Sequence, residues 1–283
     1  MIKPFQLDIK PELNLADCFE KSKVNLAERK YRPPLAISIG EDDIPYKGNY
    51  YPLRFGTFGN ISMIKGEEKS RKTFLKSLLL ACAIGGKSNN YTNDINITGP
   101  DLTDKYIIDI DSEQDEYDVW LNATRIPFMV GNTPENYISL KWREHTPTER
   151  SQLLEWLFME SQYKNKLGIV SIDGYVDFVK DFNSQEQSAE FTQSLMKYTS
   201  ISRCHITGIL HLNPNSEKAR GHLGTILQQK CETVVICKDM GEYSKIICQR
   251  GRGKRFENFT IRTDNDWMPY ISDDDINIEP KLS

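Results

Sequence analysis

The stretch Gly66-Glu67-Glu68-Lys69-Ser70-Arg71-Lys72-Thr73 separates two apolar segments of different length. Before it, residues 61–64 are short enough for a buried strand, and after it, residues 74–84 are long enough for a helix. A glycine, a basic loop and a Lys-Thr pair at a strand-to-helix junction are typical of a phosphate-binding loop, or P-loop. There the backbone N–H groups and the helix dipole attract an anion. We therefore expect an α/β fold whose P-loop binds the phosphates of a nucleotide.

Individual residues of the octet have separate expected roles. Lys72 should reach the β- and γ-phosphates, and the Thr73 hydroxyl should bind Mg²⁺. Glycine usually precedes the lysine, but Arg71 stands there, which requires a negative φ and a side chain turned outward or onto a phosphate. For the octet alone, the alternative is a basic, solvated helix start. The full predicted nucleotide site contains Gly66, Glu67, Lys69, Ser70, Arg71, Lys72, Thr73 and Phe74.

The composition restricts the class of protein. The 283 residues are 39% apolar and 27% charged, which is typical of a soluble globular protein with a full core. No apolar run approaches the length of a membrane span, and the N-terminus lacks the apolar core of a signal peptide. We expect a cytoplasmic protein that does not contact a membrane. The net charge of −4 does not by itself indicate nucleic-acid binding.

The pattern of apolar segments predicts three parts. Residues 1–48 form an arm with a helix over residues 13–31 and little strand character. This helix would dock either on its own domain or on a neighbouring subunit. Residues 49–272 form the core, in which strands alternate with helices, as in a mostly parallel sheet flanked by helices. Segments 233–238, 245–249 and 259–262 are expected as antiparallel additions to that sheet, and residues 273–283 form an acidic tail.

Carboxylates follow two of the predicted strands. The strand over residues 106–110 leads into Asp111-Ser112-Glu113-Gln114, and the strand over residues 167–172 leads into Asp173. Ligands bind at the carboxyl ends of parallel strands, and an aspartate there can order Mg²⁺ and its waters. The alternatives are that Asp111 or Ser112 caps the following helix and that Asp173 caps a loop.

Polar residues also follow a third strand, over residues 205–210. His211 and Asn213 lie at its end and could sense the γ-phosphate, although a lone histidine is more often structural. The long segment 213–224 then carries Lys218, Arg220 and two glycines. A long loop inside a compact domain usually has a function.

In this order, the elements resemble those of a RecA-like P-loop ATPase, most closely the DnaB/RepA-type hexameric helicases of mobile elements and phages. The resemblance runs from about Ile61 to Arg262. It implies that Glu113 polarises the attacking water and that Asp173 is the Walker B aspartate. His211 and Asn213 would be the sensor residues. The loop with Lys218 and Arg220 would contact DNA in the pore.

The segment Cys248-Gln249-Arg250-Gly251-Arg252-Gly253-Lys254 resembles the strand that carries the arginine finger of that family. Arg250 would then complete the catalytic site of a neighbouring subunit. Cys248 stands where a lysine is often found, so Arg252 or Lys254 would share the role. Arg71 and Pro214 are two further departures from the family pattern, and they imply slow hydrolysis or poor turnover.

The resemblance implies Mg²⁺-dependent ATP hydrolysis at interfaces of a homo-oligomeric ring or filament. Single-stranded DNA is the implied partner, in replication or mobilisation of a mobile element or phage. A second class of function is a non-helicase nucleotide switch or scaffold that assembles with ATP and recruits partners. A third is a degenerate P-loop protein without nucleotide affinity.

Overall fold

A computed structural model describes residues 14–42, 48–85, 89–92, 95–100, 102, 104–213 and 216–272. Leu13 of the predicted helix, Gly86, Pro214 and the predicted acidic tail 273–283 lie outside these ranges. The chain divides into two compact units, Met1–Arg32 and Pro33–Ser283. Nowhere in the described ranges is there a helix with the length and apolar character needed to cross a membrane.

The smaller unit contains one short helix, α1 (Leu15–Ser22). Asn14 caps this helix, because its side chain accepts a hydrogen bond from the Asp17 amide. The predicted helix over residues 13–31 is therefore too long. The backbone is extended at Lys23, and the Asn25 side chain accepts from the Ala27 amide, which favours a turn over continued helix. No residue of α1 is buried.

The larger unit alternates strands and helices over most of its length. Its elements are β1 (Leu35–Glu41), β2 (Pro52–Thr57), β3 (Ile61–Gly66), α2 (Lys72–Gly85), α3 (Asn89–Thr92), β4 (Ile97–Thr98), β5 (Tyr106–Asp111), α4 (Glu116–Val130), β6 (Tyr137–Lys141), α5 (Pro147–Met159), β7 (Leu167–Asp173), a 3₁₀ turn (Tyr175–Phe178), α6 (Gln185–Ser202), β8 (His205–His211), α7 (Gly221–Lys230), β9 (Thr233–Asp239), β10 (Ser244–Gly251), β11 (Phe259–Thr263) and β12 (Pro269–Ser272).

Nine of these strands form one sheet in the order β12-β11-β10-β9-β3-β8-β7-β5-β6. The six strands from β9 to β6 are parallel, and β10, β11 and β12 add to the sheet in antiparallel pairs. The prediction of a mostly parallel sheet with antiparallel C-terminal strands is thus confirmed. One detail is wrong, because β9, expected as an antiparallel addition, pairs parallel to β3.

The core lies on both faces of this sheet. Adjacent residues of β3 show this, since Ile64 belongs to a cluster with α2 and α4, whereas Met63 belongs to a cluster with α5, α6 and α7. Successive strand residues point to opposite faces, so each face is covered by its own layer of helices. The sheet is therefore buried on both faces, which leaves the ends of its strands as the places where a ligand can reach it.

Two features were not expected from the sequence. A small sheet of order β2-β1-β4 contains β1, within a segment that we predicted to have little strand character. Its residues Ile37 and Ile39 are buried, so tertiary packing favours a strand there. In addition, the loop expected over residues 213–224 ends at Arg220, because α7 begins at Gly221.

Candidate active site

The carboxyl ends of four parallel strands lie side by side. Gly66 at the end of β3 pairs with His211 of β8, and Asp111 of β5 pairs with Asp173 of β7. A cleft of about 590 Å³ opens above these strand ends. Its lining includes the P-loop residues from Lys69 to Phe74, Glu113 and Gln114, and further Asp118, Asn122, Arg125, Asp173, Ile209, His211, Thr263 and Trp267. Residues far apart in sequence thus share one cleft.

The P-loop connects β3 to α2 by a tight concave turn. A Cβ atom at Gly66 would lie 2.6 Å from the Cys237 carbonyl oxygen, so only glycine fits without movement of the backbone. Lys69 and Arg71 both have positive φ angles, 61° and 60°. Alternation of left-handed residues with ordinary ones turns successive N–H groups inward and creates an anion-binding concavity. The expectation of a negative φ at Arg71 is therefore wrong.

The Arg71 side chain leaves the loop and binds the turn between β9 and β10. Its guanidinium donates to the Gly241 carbonyl at 2.7 Å and lies 3.2 Å from both Asp239 Oδ1 and Ser244 Oγ. These bonds hold a backbone conformation that usually belongs to glycine. The side chain thus lies on this turn, where it is 18% exposed, instead of turning outward or onto a phosphate.

The Lys72 side chain folds back over the loop. Its Nζ donates to the Glu67 carbonyl and lies 3.5 Å from Ser70 Oγ. Burial lowers the pKa of the Lys72 ammonium, and the negative charges of Asp173 and Glu113 act in the opposite direction. The charges of Asp173 and Glu113, which the sequence analysis assigned to the same site as Lys72, therefore act on its ammonium.

Thr73 and Asp173 are the residues that could hold Mg²⁺. Thr73 Oγ1 donates to Asp173 Oδ2 at 3.2 Å, which joins the start of α2 to the end of β7. A hydroxyl and a carboxylate are hard oxygen ligands, so the donor set fits Mg²⁺. The Asp173 carboxylate accepts hydrogen bonds from Thr73 and Lys76, both on α2. These contacts do not indicate the alternative role of Asp173 as a loop cap.

A turn after β5 presents Glu113 at the rim of the cleft. Asp111 Oδ1 accepts from the amides of Glu113 at 3.0 Å and Gln114 at 2.8 Å. The residue that caps α4 is Asp115, so the alternative of Asp111 or Ser112 as that cap is wrong. Glu113 Oε2 lies 3.5 Å from His211 Nε2, and this contact lowers the pKa of the Glu113 carboxyl. Glu113 is therefore ionised at neutral pH.

Arg150 supports this turn from behind, and the sequence analysis missed it. Its side chain is buried and donates to the carbonyls of Ser112, Trp142, Arg143 and Asp177 at 2.9–3.1 Å. The Ser112 hydroxyl in turn lies 2.9 Å from the Asp173 carbonyl oxygen. One guanidinium thus connects the segments that follow β5, β6 and β7. The carbonyls that Arg150 binds come from separate segments of the chain, so local sequence carried no sign of them.

Lys76 and Asp109 were also missed. Lys76 lies one turn after Thr73 on α2, and its Nζ is 3.2 Å from Asp109 Oδ1 and 3.4 Å from Asp173 Oδ2. These contacts raise its pKa despite complete burial, so the side chain is charged. A signal existed, because Lys76 is the one charged residue in the apolar run of residues 74–84.

The far wall of the cleft contains Arg125, which carried no signal in the sequence. The Arg125 guanidinium lies over the Phe74 ring, 4.0 Å from its centroid, and burial lowers the pKa of this arginine to about 10. Trp267, between β11 and β12, is exposed and lines the same cleft. The aromatic and cationic side chains offer a flat, polarizable surface beside the P-loop.

The predicted finger residues lie at the opposite end of the sheet. Arg250 pairs with Val234 at the amino end of β9, whereas the P-loop residue Gly66 pairs with Cys237 near its carboxyl end. The Arg250 guanidinium donates to the Gln228 carbonyl at 2.8 Å. Arg252 donates to Asn60 Oδ1 at 3.1 Å, and Lys254 pairs with Asp42 at 2.7 Å. None of the three belongs to the cleft of its own chain.

The predicted sensor and DNA-binding residues lie at the end of β8 and directly after it. His211 lines the cleft, whereas the backbone N–H of Asn213 donates to the Lys218 carbonyl at 2.9 Å. Lys218 and Arg220 are exposed, and the Arg220 guanidinium lies 4.8 Å from the centroid of the Phe182 ring. Lys218 and Arg220 therefore follow shortly after His211 in the sequence, and His211 lines the cleft.

The cleft combines a P-loop concavity, a buried lysine, two oxygen ligands for a hard cation and an ionised carboxylate at its rim. These groups suit the binding of a polyphosphate and the orientation of a water molecule beside it. The sequence matches no protein-family model and no curated protein.

Proposed function

We propose that this protein is a Mg²⁺-dependent ATPase of the RecA-like type, which assembles into a homo-oligomer and acts on single-stranded DNA as hexameric helicases do. One observation carries the proposal. Lys72, Thr73, Glu113 and Asp173 meet in a single cleft at the carboxyl ends of parallel strands, although they come from three separate segments. Phosphoryl transfer requires such positioning and charge neutralisation more than it requires covalent chemistry.

Each residue has a defined task in hydrolysis. Lys72 and the P-loop N–H groups hold the β- and γ-phosphates, and Arg125 and Trp267 flank the space for the rest of the nucleotide. The ionised Glu113 carboxylate orients a water molecule in line with the leaving oxygen and accepts its proton as the new P–O bond forms. Mg²⁺, when bound by Thr73 and Asp173, neutralises phosphate charge. The bond between the γ-phosphorus and the ADP oxygen then breaks.

The remaining parts of the proposal concern partners. Arg250 lies too far from the cleft of its own chain to stabilise the transferred phosphoryl group, so a second copy would supply it. An arginine supplied in trans raises the rate by about 10³–10⁵. Exposed Lys218 and Arg220 would contact DNA phosphates, which predicts salt-sensitive binding with little sequence preference.

Two substitutions test the assignment of the cleft. Lys72→Ala should weaken ATP binding and abolish turnover, because the phosphates lose their buried cation. Glu113→Gln should keep ATP affinity but lower turnover by about 10²–10⁴-fold, the usual contribution of a general base. Binding of a fluorescent ATP analogue and release of phosphate measure the two effects. Wild-type turnover in both variants would show that the chemistry occurs elsewhere.

A nucleotide-dependent switch or scaffold is the second candidate. It is favoured by the anchoring of Arg71 on the turn between β9 and β10, which links the P-loop directly to the C-terminal strands. The two functions differ in their response to DNA. A helicase-like enzyme should hydrolyse ATP faster with single-stranded DNA and lose this stimulation in Lys218→Ala/Arg220→Ala, whereas a switch should not respond to DNA.

A further inference from the structure

We propose that the Lys76 ammonium occupies the position of a cation between Asp109 and Asp173, so that a divalent metal ion enters the site only together with nucleotide phosphates. Lys76 is then a positioning residue that makes metal binding conditional on nucleotide. The inference rests on the proposed function in one respect, because it takes Asp173 as a metal ligand.

The geometry is that of one cation shared between two buried anions. Lys76 Nζ lies 3.2 Å from Asp109 Oδ1 and 3.4 Å from Asp173 Oδ2. The side chain of Lys76 is 2% exposed, that of Asp109 is 6% exposed and that of Asp173 is 5% exposed. The oxygen that Lys76 contacts on Asp173 is the one that also accepts from Thr73. The ammonium therefore lies at the predicted metal ligand itself.

Lys76 does not neutralise the whole cluster. Asp109 Oδ2 accepts from the Tyr137 hydroxyl at 3.1 Å, which is a neutral partner. Asp111 is a third carboxylate, 3% exposed, and its Oδ2 has no hydrogen-bond partner in the described part of the chain. Of these three buried carboxylates, Lys76 contacts only Asp109 and Asp173. The position between Asp109 and Asp173 is filled by the Lys76 ammonium.

Nucleotide binding changes the competition between a metal ion and the Lys76 ammonium for Asp173. A metal ion alone must compete with the ammonium for Asp173 and gains few ligands in return. A metal ion that arrives with phosphates brings ligand oxygens with it, and Thr73 adds its hydroxyl. Asp109 can meanwhile retain the ammonium, so Asp173 is released without leaving Lys76 unpaired. Metal and nucleotide binding then become coupled, and each strengthens the other.

A purely structural ion pair predicts something different. Loss of Lys76 would then lower stability without changing the response to metal ions. The diagnostic measurement is therefore the shift in melting temperature that Mn²⁺ alone causes, in the absence of nucleotide. Mn²⁺ takes the same oxygen ligands as Mg²⁺. Lys141→Met is the matched control, because Lys141 also pairs with two carboxylates, Glu116 and Glu144, but at the surface.

The experiment compares the full-length wild type, Lys76→Met, Lys76→Met/Asp109→Asn and Lys141→Met. The double variant preserves the net charge of the cluster and guards against failure of the single variant to fold. Mn²⁺ alone should leave the melting temperature of the wild type and of Lys141→Met unchanged. It should raise the melting temperature of both variants that lack Lys76 by a few degrees, because the ion then takes the vacated place.

Each outcome decides one of the two proposals. If Mn²⁺ alone raises the wild-type melting temperature as much as that of the Lys76 variants, or raises none of them, the proposed role of Lys76 is wrong. If ATP with Mn²⁺ fails to stabilise the wild type, the proposed ATPase function is wrong. The response to Mn²⁺ alone still decides the role of Lys76 in that case.

Discussion

Arg71 combines a left-handed backbone conformation with a side chain that has three hydrogen-bond partners. The φ angle of 60° costs a residue with a Cβ atom free energy that glycine does not lose. The bonds to the turn between β9 and β10 offset that cost. Arginine can therefore replace the usual glycine at this position, provided that the turn is there to receive its guanidinium.

Comparison of Arg71→Gly with Arg71→Ala separates the two contributions. Both variants lose the side-chain bonds, but only alanine retains the backbone strain. We expect Arg71→Gly to be more stable than Arg71→Ala by about 1–2 kcal/mol in urea-induced unfolding. Lys69 has a φ of 61°, so Lys69→Gly and Lys69→Ala should differ by the same amount and in the same direction. Equal stability of glycine and alanine at both positions would contradict the argument.

At the scale of the elements, periodicity and strand-end residues predicted most of the sheet and the P-loop junction. They predicted β5 and β7 with their terminal aspartates. They missed β1, because its strand conformation depends on packing against β2 and β4 rather than on local pattern. They also missed Arg150 and Lys76. Lys76 stands out as the one charge in an apolar run, but the partners of both residues come from distant segments.

Loss of Arg150 should affect several elements at once, because its guanidinium contacts the segments that follow β5, β6 and β7. Arg150→Met removes a donor from the carbonyl oxygens of Ser112, Trp142, Arg143 and Asp177, of which, among the residues that the structure describes, only that of Trp142 keeps another donor, the His145 amide. We expect unfolding free energy to fall by about 3 kcal/mol, since each unsatisfied buried group costs about 1–3 kcal/mol and some gain water. Turnover should fall as well, because Ser112 precedes Glu113. Urea unfolding and phosphate release measure the two losses.

Arg150→Lys is the informative companion to that substitution. A single ammonium cannot reproduce the planar fork that reaches carbonyls in three segments, so lysine should restore little of the stability. Arg143→Met provides a surface control on the same connection between β6 and α5, because Arg143 is exposed. Full rescue by lysine would mean that charge, rather than the geometry of the guanidinium, holds the turn before Glu113.

For the whole molecule, the sheet separates the two halves of the proposed catalytic machinery. Lys72, Glu113 and Asp173 lie at the carboxyl end of the parallel strands, whereas Arg250 lies beside Val234 at the other end. β10 runs antiparallel to β9, and this reversal takes Arg250 away from the P-loop. A chain with this topology cannot complete its own site with Arg250. Head-to-tail contact between copies would bring the two ends together and would generate a ring or a filament.

Mixing two inactive variants tests this arrangement. Arg250→Ala keeps an intact cleft but cannot complete a neighbour, and Glu113→Gln has the opposite defect. Either protein alone should be slower than the wild type by about 10²-fold or more, whereas an equimolar mixture should regain about one quarter of the wild-type rate. That fraction is expected because random assembly gives one interface in about four an intact cleft beside an intact Arg250. Phosphate release should also rise more than in proportion to protein concentration. A mixture no faster than the mean of its two components would show that Arg250 does not act across an interface, and it would leave the cleft without its proposed trans-acting arginine.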